Sequence, residues 1–247
     1  MRAKIFTAVA LYGPKEGAFK DLLQSVQKIL GKQLGDRFRP YTLKQIHSTL
    51  IRLDWFADEL SGLAVNRRYR EVVGVARPMI LDRALEILQS SLEPPLHIRI
   101  GGFRAGHEAT FSSRGVHPYQ RMFSVQGDAF VILGWPRSTV VSGISKKPLD
   151  DLRREMGEAN ILHWYHESPA DIDNDFHMVV GHHAAAAPAR TAAAVAAVRE
   201  HLSEHPIDIA VGSQQVTIIA SDSPTLAPAL FAGQITKDNS EIIELFR

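Results

Sequence analysis

Two histidines in short apolar runs are the residues of this sequence best suited to acid–base chemistry. The first, His47, lies in residues 45–53, a run of β-forming apolar residues without Gly or Pro that predicts a strand. Alternate side chains of a strand share one face, which would place His47 and Thr49 together, about 6.6–6.8 Å apart along the strand. An imidazole can transfer a proton near neutral pH, and a hydroxyl can donate a hydrogen bond to an anion.

The second histidine, His177, lies in residues 175–181, another short apolar run that follows an acidic loop. It comes 130 residues after His47, which is far enough for each histidine to belong to its own half of the molecule. Val179 stands where the first run has its hydroxyl, so the second copy is incomplete. Two histidines that face one groove could supply the general base and the general acid of phosphodiester chemistry without a metal.

The two runs resemble the paired His-x-Thr/Ser-apolar motifs of the 2H phosphoesterase superfamily, the LigT-like or two-histidine phosphoesterases. His-Ser-Thr-Leu at residues 47–50 matches the motif in full, whereas His-Met-Val-Val at residues 177–180 lacks the hydroxyl. The resemblance implies an α+β, bilobal fold, in which two mostly antiparallel sheets with outer helices surround a central groove. It also implies a metal-independent phosphodiesterase that acts on a cyclic or internal phosphodiester of a nucleotide or RNA.

The resemblance assigns roles to individual residues. His47 and His177 are the expected catalytic residues, and Thr49 is the expected phosphate-binding residue. Two further residues are candidate substrate contacts: Tyr12, at the end of the first predicted strand, and His117, in a long loop. No cofactor and no metal is expected, and the residues leave open which histidine is the base.

Two other interpretations stay open on the sequence alone. Because Val179 lacks a hydroxyl, the chain could be a nucleotide- or RNA-binding module with a weakly active or inactive site. The histidines could also be incidental to a globular α+β protein. The separation of the two imidazoles bears on both alternatives, because one phosphate can bridge only two groups that lie close together.

Other histidines offer rival sites. A zinc site could draw on His163, His166 and His182, although no His-Glu-x-x-His helix supports it. His-Glu-Ser at residues 166–168 is a rival second motif because it has the hydroxyl, but Pro169 follows it at once and no apolar strand continues. We therefore favour residues 177–180 as the second motif.

Hydrophobic periodicity predicts the elements that must position these residues. Apolar alternation and turn signals predict strands at residues 5–12, 96–100, 207–211 and 216–220, a hairpin of 121–125 with 129–135, and an edge strand near 234–236. Helical spacing predicts helices at residues 16–34, 78–92, 148–156 and 188–202. Residues 105–119 read as a long loop, and residues 161–165 fit a strand or a helix equally well.

Composition narrows the classes of function. The chain has 247 residues, a net charge of +1, a pI near 8.1 and no cysteine, so it has neither disulfides nor thiolate metal sites. Such a small net charge favours a short nucleotide over a long duplex as the partner. No apolar run approaches the eighteen or so residues of a membrane span. We expect a cytoplasmic monomer that forms a single bilobal domain over residues 1–247 and has no membrane partner.

Overall fold

The computed structural model describes residues 5–137, 140–141, 144–145, 147–168, 170–184, 188–223, 225–226, 229–236 and 238–246, which contain both strands and helices. The strands are β1 (Ile5–Ala10), β2 (Phe38–Pro40), β3 (Ser48–Arg52), β4 (Trp55–Ala57), β5 (Ala64–Asn66), β6 (Leu96–Ile100), β7 (Phe123–Gln126), β8 (Ala129–Pro136), β9 (Val140–Val141), β10 (Ile144–Ser145), β11 (Phe176–His183), β12 (Ile207–Val211), β13 (Val216–Ser221) and β14 (Phe231–Gln234). The helices are α1 (Gly17–Leu34), α2 (Arg67–Val73), α3 (Leu81–Ser90), α4 (Pro118–Arg121), α5 (Pro148–Glu155), α6 (Pro188–Glu204) and α7 (Ser240–Glu244).

One ten-stranded sheet dominates the structure. Its strand order is β12-β6-β8-β11-β3-β1-β13-β14, with β2 paired to β11 and β7 paired to β8. The pairings among the described strands are antiparallel, so the protein belongs to the α+β class. The prediction of two separate sheets is wrong in this respect. The pairing of Ser48 with Met178 joins β3 to β11 and makes the two halves of the strand order continuous.

Most of the predicted elements are present, and the exceptions have local causes. The helix predicted from residue 78 begins only at Leu81, because Pro78 forms a bridge with Val65 and the Met79 amide donates to the Ala64 carbonyl. The edge strand expected near residues 234–236 lies earlier, as β14. Residues 161–165 form neither a strand nor a helix. None of the helices in the described ranges has the length and apolar character needed to cross a membrane.

The first histidine strand is shorter than the predicted residues 45–53. β3 begins at Ser48, so His47 is the residue immediately before the strand. The cause is a turn, in which the Gln45 amide donates to the Thr42 carbonyl and the Gln45 side chain accepts from the Thr42 amide and hydroxyl. The second histidine strand, β11, contains His177 as predicted and continues beyond residue 181.

A buried arginine ties the two histidine strands together. Arg153, on α5, is only 2% exposed and donates to the carbonyls of Thr49 at 3.2 Å and Leu50 at 3.0 Å in β3. It also donates to the carbonyls of Asp173 at 2.8 Å and Asp175 at 3.1 Å, just before β11. β3 and β11 pair directly through one residue pair, and this side chain adds four hydrogen bonds that link β3 to the residues before β11.

Replacement of Arg153 by methionine should therefore destabilise the fold strongly. Four buried carbonyls would lose their donor, and the buried Asp173 carboxylate would lose a cation 3.5 Å away. We expect a loss of about 3–5 kcal/mol in the free energy of unfolding, measured by urea denaturation. The control is Arg83→Met, because Arg83 makes its ion pairs on the surface of α3 and should lose at most about 1 kcal/mol. Equal losses for both variants would contradict this role.

Candidate active site

The register of β3 against β11 determines which side chains share a face. Ser48 pairs with Met178, and both side chains are buried in the core. In an antiparallel ladder the next residues along each strand are also opposite each other, which places Thr49 across from His177. Both of these side chains are half-buried and lie on the face opposite the core. The structure thus brings together the predicted phosphate-binding residue and one predicted catalytic histidine.

The same register brings the other histidine to this face. Continuation of this register past the start of β3 would bring His47 opposite Val179, the position that lacks a hydroxyl. His47 and His177 would then be diagonal to each other, and the Cβ atoms of diagonal residues on paired strands are typically about 7–8 Å apart. Two imidazoles at this spacing can reach opposite sides of one tetrahedral anion.

His47 has a defined tautomer. Its Nδ1 lies 2.6 Å from the Gln45 carbonyl, which can only accept, so Nδ1 carries the proton and Nε2 keeps its lone pair. Burial lowers the pKa of the imidazole below its usual value of 6.5, the bond to Gln45 opposes this shift, and the charge of Lys15 adds to it. His47 is therefore neutral at pH 7, with an Nε2 atom able to accept a proton.

His177 is also neutral, but it has different neighbours. Its Nε2 lies 3.1 Å from the side-chain oxygen of Gln126, at the end of β7. Burial lowers its pKa to about 4, while the nearby carboxylates of Asp173 and Asp175 act in the opposite direction and Arg153 lowers it further. The two aspartates favour a proton on His177, whereas a lysine disfavours one on His47.

The Asp175 carboxylate is buried and fully engaged. It accepts from the Ser113 hydroxyl at 2.7 Å, from Trp135 Nε1 at 2.6 Å and from the Arg121 guanidinium at 2.7 Å. Asp173, two residues earlier, accepts from His163 Nε2 at 2.7 Å. These bonds hold the residues that lead into β11, and so they position His177.

Tyr12 and Lys15 lie beside His47, in the segment that follows β1. The Tyr12 ring is tilted against the His47 ring with centroids 6.1 Å apart, which places this predicted substrate contact next to a catalytic candidate. Lys15 is 9% exposed, its Nζ donates to the Gly13 carbonyl at 2.7 Å, and burial lowers its pKa to about 8. Sequence reasoning missed Lys15, because a lysine after a Gly-Pro turn carries no signal of burial.

His117 lies apart from these residues. Its Nδ1 accepts from the Tyr119 amide and caps α4, and its Nε2 lies 2.9 Å from the His107 carbonyl. Both ring nitrogens are thus used within the loop, and His117 borders a separate cavity of about 240 Å³ that also contains Arg104. The structure gives this predicted contact a structural role at a helix start.

A larger cavity of about 590 Å³ begins at Asp175, two residues before His177. It is lined by aromatic and polar side chains from five segments of the chain, among them Phe111, Arg114, Trp135, Lys147, Tyr165 and Asn174. Arg114 lies over the Tyr165 ring at 4.1 Å from its centroid and forms an ion pair with Asp173 at 3.2 Å. The volume is sufficient for the part of a small ligand that extends beyond the phosphate.

The histidines of the rival zinc site, His163, His166 and His182, each form a hydrogen bond with another side chain. His163 bonds to Asp173, and His166 Nε2 lies 2.8 Å from the Asp150 carboxylate, in a segment that is not a strand. His182 lies near the other end of β11, where its Nε2 is 2.7 Å from the Tyr41 hydroxyl. Within the described ranges, no group of three or more histidine, cysteine or acidic residues could hold a metal ion.

Comparison with known proteins bears on the fold. No protein-family model and no curated protein matches the chain. Among solved structures, it resembles the crystal structure of a conserved protein of unknown function from Agrobacterium tumefaciens strain C58. The alignment has 11% sequence identity and a TM-score of 0.50, and it covers 96% of this chain and 86% of the other. The likeness at this identity supports a shared α+β architecture.

The lowered histidine pKa values predict how stability depends on pH. His177 and His163 both have a pKa near 4 in the folded protein, against about 6.5 in an unfolded chain. As pH falls from about 6.5 to about 4, the unfolded chain binds protons that the folded chain does not, so the fold loses stability at about 1.4 kcal/mol per pKa unit for each group. Urea denaturation at pH 7 and pH 4.5 measures this loss.

Two variants test whether the loss of stability at low pH comes from the buried His177. His177→Gln should reduce the loss by about 1–3 kcal/mol, because glutamine does not titrate. His107→Gln, at an exposed loop position, should leave it unchanged. A pH dependence that is the same in wild type and His177→Gln would refute the assignment.

Proposed function

We propose that the chain is a phosphodiesterase of the two-histidine type, which hydrolyses a cyclic or internal phosphodiester of a nucleotide or RNA. The observation that carries the proposal is the pairing of Ser48 with Met178, from which an antiparallel register puts Thr49 opposite His177 and brings His47, the residue before β3, towards the same face. A phosphate on this face would have a base, an acid and a hydroxyl donor within reach. The cavity of about 590 Å³ that Asp175 lines is not lined by His47, Thr49 or His177, so the rest of the substrate would have to extend from the groove to occupy it.

The hydrogen bonds of the two rings support the roles proposed for them: His47 Nε2 keeps a lone pair because Nδ1 donates to the Gln45 carbonyl, and His177 Nε2 carries a hydrogen because it faces the Gln126 side-chain oxygen. His47 Nε2 takes a proton from water as the water oxygen attacks phosphorus. The bond from phosphorus to the leaving oxygen breaks, and protonated His177 gives its Nε2 proton to that oxygen. The products are a phosphomonoester and a free hydroxyl, and proton exchange with solvent restores both histidines. The Thr49 hydroxyl donates to a non-bridging oxygen as negative charge develops there.

Mutation of the two histidines tests this mechanism. His47→Ala and His177→Ala should each lower the rate by at least about 10²-fold, and the double variant should be little worse, because both groups act in one step. The assay uses cyclic mononucleotides, cyclic-ended RNA, linear oligonucleotides and cyclic dinucleotides, with a chelator present throughout. His107→Ala, on an exposed loop, is the matched control. Near-full rates for both single variants would refute the proposal, and a rate recovered only by added zinc or manganese would favour a metal-dependent reaction.

The pH dependence gives a second test. The base must be neutral and the acid protonated, and the pKa values lie below 6.5 for His47 and near 4 for His177. A plot of kcat/KM against pH should be bell-shaped, with its maximum between about pH 4 and 6.5 and a value at least about tenfold lower at pH 8. Gln126→Glu would place a carboxylate beside His177 Nε2, raise its pKa and move the maximum to higher pH. A rate that rises up to pH 8 would contradict these roles.

A nucleotide-binding module is the second candidate function. Two observations favour it: Val179 offers no hydroxyl opposite His47, and the Gln126 side chain occupies the His177 Nε2 atom. Such a module would bind a 2′,3′-cyclic mononucleotide, detected by calorimetry, without releasing the monoester over hours. Turnover that depends on both histidines would exclude it.

A further inference from the structure

Lys15 is a buried cation without a counter-ion among the described residues. An ammonium group has three N–H donors, and the contact found for Lys15 is the single bond to the Gly13 carbonyl. No carboxylate in the described ranges forms an ion pair with it, although the residue is only 9% exposed. Charged groups at this depth are normally paired, because burial of an unpaired charge is costly. Two donors of Lys15 are therefore available to an anion.

The position of Lys15 links it to the incomplete motif. Its charge acts on the His47 imidazole, and the Tyr12 ring packs near the same imidazole. The register continued from the Ser48–Met178 pair puts His47 opposite Val179. Lys15, with its free ammonium donors, and Val179, which has no hydroxyl, thus adjoin the same histidine.

The backbone that carries Lys15 is strained and firmly held. Leu11, directly after β1, has a φ of +63°, a conformation that side-chain-bearing residues rarely adopt, and Gly13 has a φ of +103°. The Leu11 amide donates to the Gln215 carbonyl at 2.9 Å, and the Gly13 amide donates to the Lys44 carbonyl at 3.0 Å. Strained backbone that the surrounding structure holds in place is typical of functional sites. The segment keeps a buried lysine beside His47 at a cost to stability.

We propose that Lys15 binds a non-bridging oxygen of the phosphate in the groove, in place of the hydroxyl that Val179 lacks. The inference rests on the proposed function for the identity of the ligand, a phosphodiester anion. Thr49 and Lys15 would then donate to the phosphate from opposite ends of the histidine pair. The arrangement compensates for the degenerate second motif with a residue from the loop between β1 and α1.

Binding of inorganic sulfate, which stands in for the tetrahedral phosphate, tests Lys15 without any turnover. The probe is the NMR signal of the His47 ring during a sulfate titration. Lys15→Met should raise the Kd for sulfate by about tenfold or more, the effect of losing one charge-assisted hydrogen bond. Lys15→Arg keeps the charge and should bind at least threefold more tightly than Lys15→Met. Lys20→Met, an exposed lysine on α1, should bind like the wild type.

Thermal unfolding separates a ligand-binding lysine from a structural one. If Lys15 is kept for binding, Lys15→Met removes an unpaired buried charge and should have a Tm equal to or above that of the wild type. A lower Tm with unchanged sulfate affinity would overturn the proposal. A double-mutant cycle then tests compensation, because Val179→Thr should improve sulfate binding more in the Lys15→Met background than in the wild type. An equal effect in both backgrounds would overturn the claim that Lys15 replaces the hydroxyl.

The outcome for Lys15 and the outcome for the proposed function are distinguishable. Sulfate binding that depends on Lys15, in a protein that hydrolyses none of the diesters, would retain this anion site and reject the phosphodiesterase. Hydrolysis that depends on both histidines, with sulfate affinity unchanged by Lys15→Met, would retain the phosphodiesterase and reject the role of Lys15.

Discussion

The candidate active site depends on one buried cation, Arg153. A guanidinium has five N–H donors in a planar fork, and this one uses them on carbonyls of β3 and of the residues before β11. The cost of burying its charge is offset by these dipoles and by the Asp173 carboxylate at 3.5 Å. The two histidine strands pair directly at Ser48 and Met178, so the fixed relation between their side chains relies on this bridge from α5.

The charges around the site are distributed unequally, and this asymmetry distinguishes the two histidines. Asp173 and Asp175 lie near His177, held by Ser113, Trp135, His163 and a set of arginines. Lys15 lies near His47. Both imidazoles are neutral because burial dominates, yet the carboxylates favour a proton on one and the ammonium disfavours a proton on the other. Neighbouring charges thus distinguish two histidines whose motifs are nearly equivalent, although burial still leaves the pKa of His177 at about 4.

The site also shows how a degenerate motif can remain compatible with function. Arg99, on β6, and Arg121, on α4, are each committed to a carboxylate, Asp208 and Asp175 respectively, at 2.7 Å. Lys15 has no such partner among the described residues. Because Lys15 is buried without an ion pair among the described residues, its remaining N–H donors are available to a ligand. It can do this although it lies far from Val179 in sequence.

The sequence by itself determined the class of fold, most elements and the residues that share a strand face. Alternation placed His47 with Thr49, and the apolar run around His177 predicted its strand, because both signals depend on neighbours within a few residues. It did not determine that the first strand begins after His47, because this depends on a turn in which the Thr42 amide donates to the Gln45 side-chain oxygen.

Tertiary structure alone decided the rest. The pairing of Ser48 with Met178 spans 130 residues, and a shift of one residue would have moved a histidine to the opposite face. The burial of Arg153 and Lys15 follows from packing against distant segments, and an isolated Arg or Lys in a sequence is most often exposed. The sequence therefore identified the groups that could do chemistry, and the long-range pairing of strands decided which of them meet.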